Sequence, residues 1–312
     1  MPGLPRPVPR VLLTGWFSFR HGEATAGDVM ALETVTTALT GAGVACDTVW
    51  SPVFRPGGLS LEQADPGRYS HLVFVCGPVH GAQVAGLHQR FAACVRIAVG
   101  VSVVDPADPA AAGFDMILAR DGAATPPVRD LSVLAASVAA PPLPVTGVAL
   151  TTGQGEYGSR RRHEAVTAAL TGWLATKACA PVPLETRLDT RDWRLCSTSQ
   201  AFLSLLARLD LLVTTRLHGL ALGLRAGVPV LAADPVHGGG KVTAQAAAWR
   251  WPALLPAGQV SRDQLDQQWD WCLSPAGQAA ARAAARQAAD GPQWLLAALA
   301  RELRPPAGPR AG

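Results

Sequence analysis

Lysine is almost missing from this sequence. Of 27 basic residues only Lys177 and Lys241 are lysines; with Ala, Gly and Pro plentiful, the arginine excess reads as a GC-rich coding bias, not as a polycation built for nucleic acid. Net charge is scarce too. Against 23 acidic residues the balance is +4, too mild and too dispersed to point to nucleic acid or a membrane surface, although it permits an anionic small ligand. No apolar run reaches the length of a membrane span, and residues 1–10, with four prolines and two arginines, hold no apolar core of signal-peptide length. A soluble, cytoplasmic protein is expected. The cysteines (Cys46, Cys76, Cys94, Cys179, Cys196 and Cys272) are scattered, with no C-x-x-C pair and no histidine at zinc spacing, so they read as reduced, mostly buried thiols. The D-x-D motif of metal-dependent transferases is absent, and neither a metal nor a cofactor is expected. No repeat of the solenoid kind occurs.

What is present is apolar patterning. At 312 residues and 49% hydrophobic content the chain can bury two ordinary cores, which gives a prior of two domains of about 130 to 150 residues each. Short apolar runs over 11–15, 44–50, 71–76, 97–104 and 115–119 alternate with helical stretches, among them 28–39, and this order predicts a parallel sheet in an α/β domain. Ala139-Ala140-Pro141-Pro142-Leu143-Pro144 is an extended linker, because three prolines in four residues forbid a continuing helix. The expected domains are therefore 1–142 and 143–304, with 305–312 a disordered tail. In the second domain a strand over 145–150 leaves through a glycine-rich loop into a helix carrying Arg160, Arg161, Arg162 and His163 in its first turn. Three arginines there oppose the helix dipole; an anion on the loop resolves the conflict, and a solvated basic face is the equal alternative. An edge strand over 181–188, helices over 197–209, 242–249 and 261–273, and one long helix over 275–303 complete the pattern.

The most informative stretch is 211–241, LLVTTRLHGLALGLRAGVPVLAADPVHGGGK. An apolar run ends at Thr214 and Thr215; leucines follow at helical spacing; Gly227 stops the helix, and a second apolar run follows. This is a β-α-β unit, which closes right-handed onto a parallel sheet, and ligands of open α/β sheets sit outside the carboxyl ends of the strands. Arg216 and His218 fall at that end, where free helix N–H groups also favour anions. His237 and Gly238-Gly239-Gly240-Lys241 follow the next strand, giving two anion-seeking loops side by side. In the opposing reading Arg216 pairs with a structural carboxylate, His218 caps or packs, and the glycines merely turn the chain.

Thr214-Thr215-Arg216-Leu217-His218-Gly219, then Ala226-Gly227-Val228-Pro229-Val230 and the downstream Lys241, resembles the signature of the polysaccharide pyruvyl transferase family. The resemblance implies two Rossmann-like domains with parallel sheets facing a cleft, as in GT-B glycosyltransferases, with the acceptor side in the first domain, the donor side in the second, and terminal helices leaning back on the first. It also implies that phosphoenolpyruvate serves as co-substrate and that its enolpyruvyl carbons pass to two hydroxyls of a carbohydrate acceptor as a cyclic ketal. The first domain departs from the family. Its opening keeps Gly15 and Gly27-Asp28 but lacks the asparagine of glycine-asparagine-glycine-aspartate, and the third strand leaves through Cys76-Gly77-Pro78-Val79-His80-Gly81 in place of a glycine run.

A donor carrying a carboxylate and a phosphate of about −1.5 to −2 needs several fixed cations. Arg216, Lys241 and one of Arg160 to Arg162 are the expected donor contacts, with Gly239 and Gly240 in the loop. Ketal formation needs an acid for the methylene carbon and a base for the sugar hydroxyl. His218 is the expected proton carrier. Asp28 and Glu23, with Gly27, are expected on the acceptor side, Asp28 as a base or else as a helix N-cap. A metal-independent nucleotide-sugar glycosyltransferase of the same architecture, and a non-catalytic protein that has kept the fold, are the competing readings.

Overall fold

The computed structural model describes residues 9–122, 126–135, 142–288 and 291–303. Contacts divide the chain into two compact units, Met1–Ala139 and Ala140–Gly312. The proposed linker lies partly, and the proposed tail wholly, outside the described residues.

The first unit runs β1 (Arg10–Thr14), α1 (Ala26–Gly41), β2 (Ala45–Thr48), β3 (His71–Val75), α2 (Ala82–Arg90), β4 (Val95–Val103), α3 (Pro109–Ala112) and β5 (Met116–Gly122). Its five strands are parallel, in the order β2-β1-β3-β4-β5. Successive residues of a strand point to opposite faces, so both faces need apolar side chains where both are covered. Val11 and Leu13 accordingly join Ala31 and Leu32 of α1, whereas Leu12 joins Phe74 and, from α2, Val84 and Leu87.

The second unit runs β6 (Val145–Ala149), α4 (His163–Leu174), β7 (Ala180–Pro183), α5 (Ser199–Leu206), β8 (Leu211–Thr214), α6 (Leu217–Arg225), β9 (Val230–Asp234), α7 (Lys241–Ala248), β10 (Leu254–Pro256), α8 (Arg262–Leu273), α9 (Pro275–Gln287) and α10 (Gln293–Glu302). Its strands are again parallel, in the order β10-β9-β8-β6-β7. Every residue of β8 and β9 is buried, as an interior parallel strand requires. Helices α8 and α9 are part of this core through Leu265, Trp269, Cys272 and Ala281. Trp173 of α4 meets Trp269 edge-on at 5.4 Å, and Asp266 accepts from Trp173 Nε1 at 2.6 Å and Lys177 Nζ at 2.8 Å. The α/β reading with two parallel-sheet units is therefore met. Among the described residues no helix is long and apolar enough to cross a membrane.

Three local expectations are corrected. The long terminal helix is two, α9 and α10, with Gly291 and Pro292 between them; proline offers no N–H to the preceding turn and clashes with it. Helix α4 begins at His163, since Gly158 stands at φ +49 inside a 3-10 segment over Gly155–Arg160. The arginines thus precede the helix, and its first turn carries Glu164, the sign the dipole favours. Helix α1 begins at Ala26, capped by Thr25, so Gly27 lies in the helix and Asp28 is the third helical residue, not the cap.

Glycine positions give a paired test. A Cβ on Gly219 would stand 2.3 Å from Thr214 Oγ1, whereas one on Gly27 meets only Thr25 Oγ1, at 3.8 Å. Gly219→Ala should cost about 1–3 kcal/mol by overpacking, and Gly27→Ala should be neutral or stabilise by up to about 1 kcal/mol through helix propensity. Urea unfolding of the two variants checks this; equal effects would refute the close approach at Gly219.

Candidate functional site

The carboxyl ends of β6 and β8 are tied by two buried hydroxyls. Thr214 Oγ1 donates to Ala149 O at 2.7 Å and accepts from Arg216 N at 3.0 Å; Thr215 Oγ1 accepts from Thr151 N at 2.9 Å. The bond from Arg216 N draws the start of α6 close to the strand end, and Gly219 leaves room for the Thr214 hydroxyl there. Arg216 then sits at the cap position of α6 and reaches across β6: Nε donates to Leu150 O at 3.0 Å, Nη1 to Thr186 Oγ1 at 3.2 Å and Nη2 to Glu185 Oε2 at 2.9 Å. The carboxylate pairing anticipated as the plainer alternative is therefore present. Among the described contacts three of the five guanidinium N–H groups are used, and the side chain is 26% exposed, so two remain for a ligand. His218, one residue into α6, is exposed, and no described side chain hydrogen-bonds its ring.

At the end of β9 the organising group is Asp234, which the sequence reading passed over. It is wholly buried; Oδ1 accepts from Val236 N at 3.0 Å, and Oδ2 accepts from Gly240 N at 2.7 Å, Thr243 N at 2.8 Å and Thr243 Oγ1 at 2.6 Å. Between those anchors Gly238 and Gly239 turn at φ +76 and +87, a region that disfavours side chains. Gly239 N donates to Val236 O at 3.0 Å. The amides of Gly239 and Gly240 are thus spent inside the loop, and the glycines shape it instead of cradling a ligand with free N–H groups. Lys241, the first residue of α7, remains partly exposed, with Nζ 3.6 Å from Glu156 Oε1. The one available signal for Asp234 was an acidic residue closing an otherwise apolar strand just before a glycine run.

The exit of β6 is strapped to this loop. Arg162 N donates to Pro235 O and His237 N to Arg160 O, both at 2.8 Å, around an antiparallel bridge between Arg161 and Val236. Of the three arginines, Arg161 donates through Nη2 to Thr152 O and Gly153 O at 3.2 and 3.4 Å, and Arg162 through Nη1 to Ser159 O and Arg161 O. Arg160 lies over the Tyr157 ring at 5.6 Å. Behind them His163 is buried, its Nε2 3.0 Å from Gln154 Oε1. Burial pushes the imidazole below its ordinary value, Arg161 and Lys241 push the same way, and Asp234 and Glu156 oppose them. In the sequence His163 is marked only by following the basic run.

In the first unit Asp28 is engaged in a capping box: Oδ2 accepts from Thr25 Oγ1 at 2.8 Å and Thr25 N at 3.4 Å, while Thr25 Oγ1 accepts from Asp28 N at 3.2 Å. Glu23 is exposed. The exit of β3 is unusual in its backbone. Cys76 is buried at φ +61, in left-handed backbone that non-glycine residues rarely adopt, and burial, with Asp130 next, pushes its thiol up to about 11. Its Sγ lies 3.6 Å from Asp130 Oδ2, and Asp130 in turn pairs with Arg120, which also binds Asp121 at 2.8 Å and Ser102 Oγ at 2.7 Å.

Asp234→Asn keeps the shape but turns one acceptor oxygen into a donor facing N–H groups. A loss of about 1–3 kcal/mol in urea unfolding is expected, with faster hydrogen exchange at Gly240 and Thr243. Unchanged exchange at both amides would show that the carboxylate does not hold the loop.

Comparison with known proteins bears on fold and family separately. No curated protein sequence matches the chain. Among solved structures it is similar to the spinosyn rhamnosyltransferase SpnG complexed with spinosyn aglycone (14% identity over 94% of this chain and 99% of that one, TM-score 0.34). It is likewise similar to the calicheamicin glycosyltransferase (12%, 96% and 100%, TM-score 0.32) and to the E. coli heptosyltransferase WaaC with ADP-2-deoxy-2-fluoro heptose (14%, 84% and 99%, TM-score 0.25). Scores this low carry no argument about the site, and the α/β fold rests on the two sheets themselves. The family comparison is local and falls on the site: residues 185–235, from the Glu185 partner of Arg216 through β8, His218 and β9, match the polysaccharide pyruvyl transferase family.

Proposed function

We propose that this protein is a transferase that moves the enolpyruvyl group of phosphoenolpyruvate onto two hydroxyls of a sugar or glycan, giving a cyclic pyruvate ketal and releasing phosphate. The observation that carries the reading is the coincidence of the family match over 185–235 with the one edge of the second sheet where Arg216, His218, Arg160, Arg161 and Lys241 gather around three strand exits. Those cations suit a donor bearing a carboxylate and a phosphate.

The chemistry then divides among these residues. The methylene carbon of phosphoenolpyruvate takes a proton, one acceptor hydroxyl attacks the carbon bearing the phosphate oxygen, and a second hydroxyl attack expels phosphate and closes the ketal. Each hydroxyl gives up one proton, so an acid and a base are required. His218 is the assigned proton carrier, because its ring is exposed and uncommitted. Asp28 is the weaker assignment, since its carboxylate already serves Thr25; Glu23, exposed in the loop before α1, and Gly27 complete the acceptor-side assignment on the first unit. Arg216 holds the donor with the N–H groups that Leu150, Thr186 and Glu185 leave over.

Calorimetric titration with phosphoenolpyruvate, UDP and GDP tests the donor. Binding of phosphoenolpyruvate alone is expected, and a nucleotide bound without phosphoenolpyruvate would transfer the protein to the nucleotide-sugar glycosyltransferases. Arg216→Lys should weaken donor binding, with unfolding followed in parallel because Glu185 loses its planar partner. His218→Gln should lower turnover by about 10²- to 10⁴-fold with much less change in donor affinity. Near-full turnover in that variant would leave His218 a positioning residue.

A further inference from the structure

Among the described residues, two buried polar atoms in the segment that leaves β6 have no hydrogen-bond partner: Nδ1 of His163 and Nε of Arg161. Such atoms are costly in a folded protein and call for a water or a ligand group. His163 is 2% exposed. Its Nε2 faces Gln154 Oε1 at 3.0 Å, and in the neutral tautomer that donates to this oxygen Nδ1 carries a lone pair. Arg161, always protonated, keeps an N–H at Nε. A single acceptor and a single donor, two residues apart, thus stand unfilled on the edge where α/β sheets bind ligands. Their backbone cannot easily move away, because Arg162 N and His237 N strap this segment to the β9 loop. The charges acting on the imidazole are Arg161 and Lys241 on the positive side and Asp234 and Glu156 on the negative.

We propose that His163 is a proton-coupled anion-binding residue of the donor site. With no anion bound, the acceptor and donor pair suits water. When an oxyanion settles against Arg161 Nε–H, one proton passes from solvent to His163 Nδ1, and the new N–H donates to the same anion. No covalent bond to the anion forms or breaks, and the charge gained by the ring offsets one negative charge of the ligand. Burial with Arg161 and Lys241 keeps the ring neutral beforehand; a bound anion reverses that balance. That the physiological anion is phosphoenolpyruvate rests on the function proposed above, whereas the proton coupling does not.

The probe is sulfate, which carries no proton that titrates near neutrality. Calorimetry of the full chain at about pH 7.5, in buffers of different ionisation enthalpy, counts the protons taken up per anion bound. Wild type should take up a large part of one proton. His163→Asn should take up none and bind sulfate about tenfold more weakly, while His237→Asn keeps the uptake. Uptake that survives in His163→Asn, binding without uptake, or no binding of sulfate overturns the proposal. If His163→Asn does not fold, nitrogen NMR of the wild-type ring decides: Nδ1 should pass from unprotonated to protonated as sulfate is added, and an unchanged Nδ1 overturns the assignment. Phosphoenolpyruvate is the second arm, corrected for its own proton change. His163-dependent uptake with sulfate but no binding of phosphoenolpyruvate removes the pyruvyl-transfer reading and leaves His163 standing; binding of phosphoenolpyruvate without His163-dependent uptake does the reverse.

Discussion

The hydroxyl of Thr214, wholly buried, donates to the last residue of β6 and accepts from Arg216 N, two residues beyond the end of its own strand. One oxygen therefore fixes where two neighbouring strands end and where α6 starts, and a buried hydroxyl keeps such a geometry because every alternative leaves a polar group unpaired. Arg216 inherits its position from that junction. Its guanidinium crosses the end of β6 to Leu150 O and meets Thr186 and Glu185 beyond β7, so three strand exits are held in one register by a threonine and an arginine. A parallel sheet brings all its carboxyl ends to one edge; what these two residues add is rigidity between the loops.

The cations of that edge are mostly committed before any ligand arrives. Arg161 and Arg162 satisfy carbonyls of their own loop, Arg216 serves two strands, and Lys241 faces Glu156. This is a preorganised arrangement: a guanidinium held by its framework loses little further freedom when a carboxylate or phosphate takes the remaining N–H groups. The same logic separates Asp234 from the cations. Its four accepted hydrogen bonds shape the glycine loop and draw on the amides of α7 that an anion would otherwise use. Asp234 thus withdraws the amides of Gly240 and Thr243 from any ligand and leaves the loop bonded to itself.

Much of the second unit was legible in the sequence. Interior parallel strands are buried on both faces, so β8 and β9 read as uninterrupted apolar runs, and Gly227, at φ +76, ends α6 as a residue without a side chain can. The edge was harder to read because its residues have two uses. Nothing in a run of three arginines tells whether they open a helix or close a loop; Gly158 decided it by leaving helical backbone. Asp28 suits a base or a cap by sequence, and its carboxylate binds back to Thr25, three residues away, a pairing visible as T-x-x-D only once the helix start is known. His163 escaped notice because burial, which makes it chemically distinct, is a property of the loops folded over it.

The sequence by itself determined two α/β units, the parallel order implied by strands alternating with helices, and the β-α-β unit around Arg216 and His218, since all of these follow from local periodicity and short spacing. Only the tertiary structure decided which polar groups remain available. Whether an arginine, a glycine amide or an imidazole is spent or free depends on partners 30 to 66 residues away, such as Glu185, Thr186 and Leu150 around Arg216, and hydrogen-bond satisfaction across that distance leaves no periodic trace in the chain.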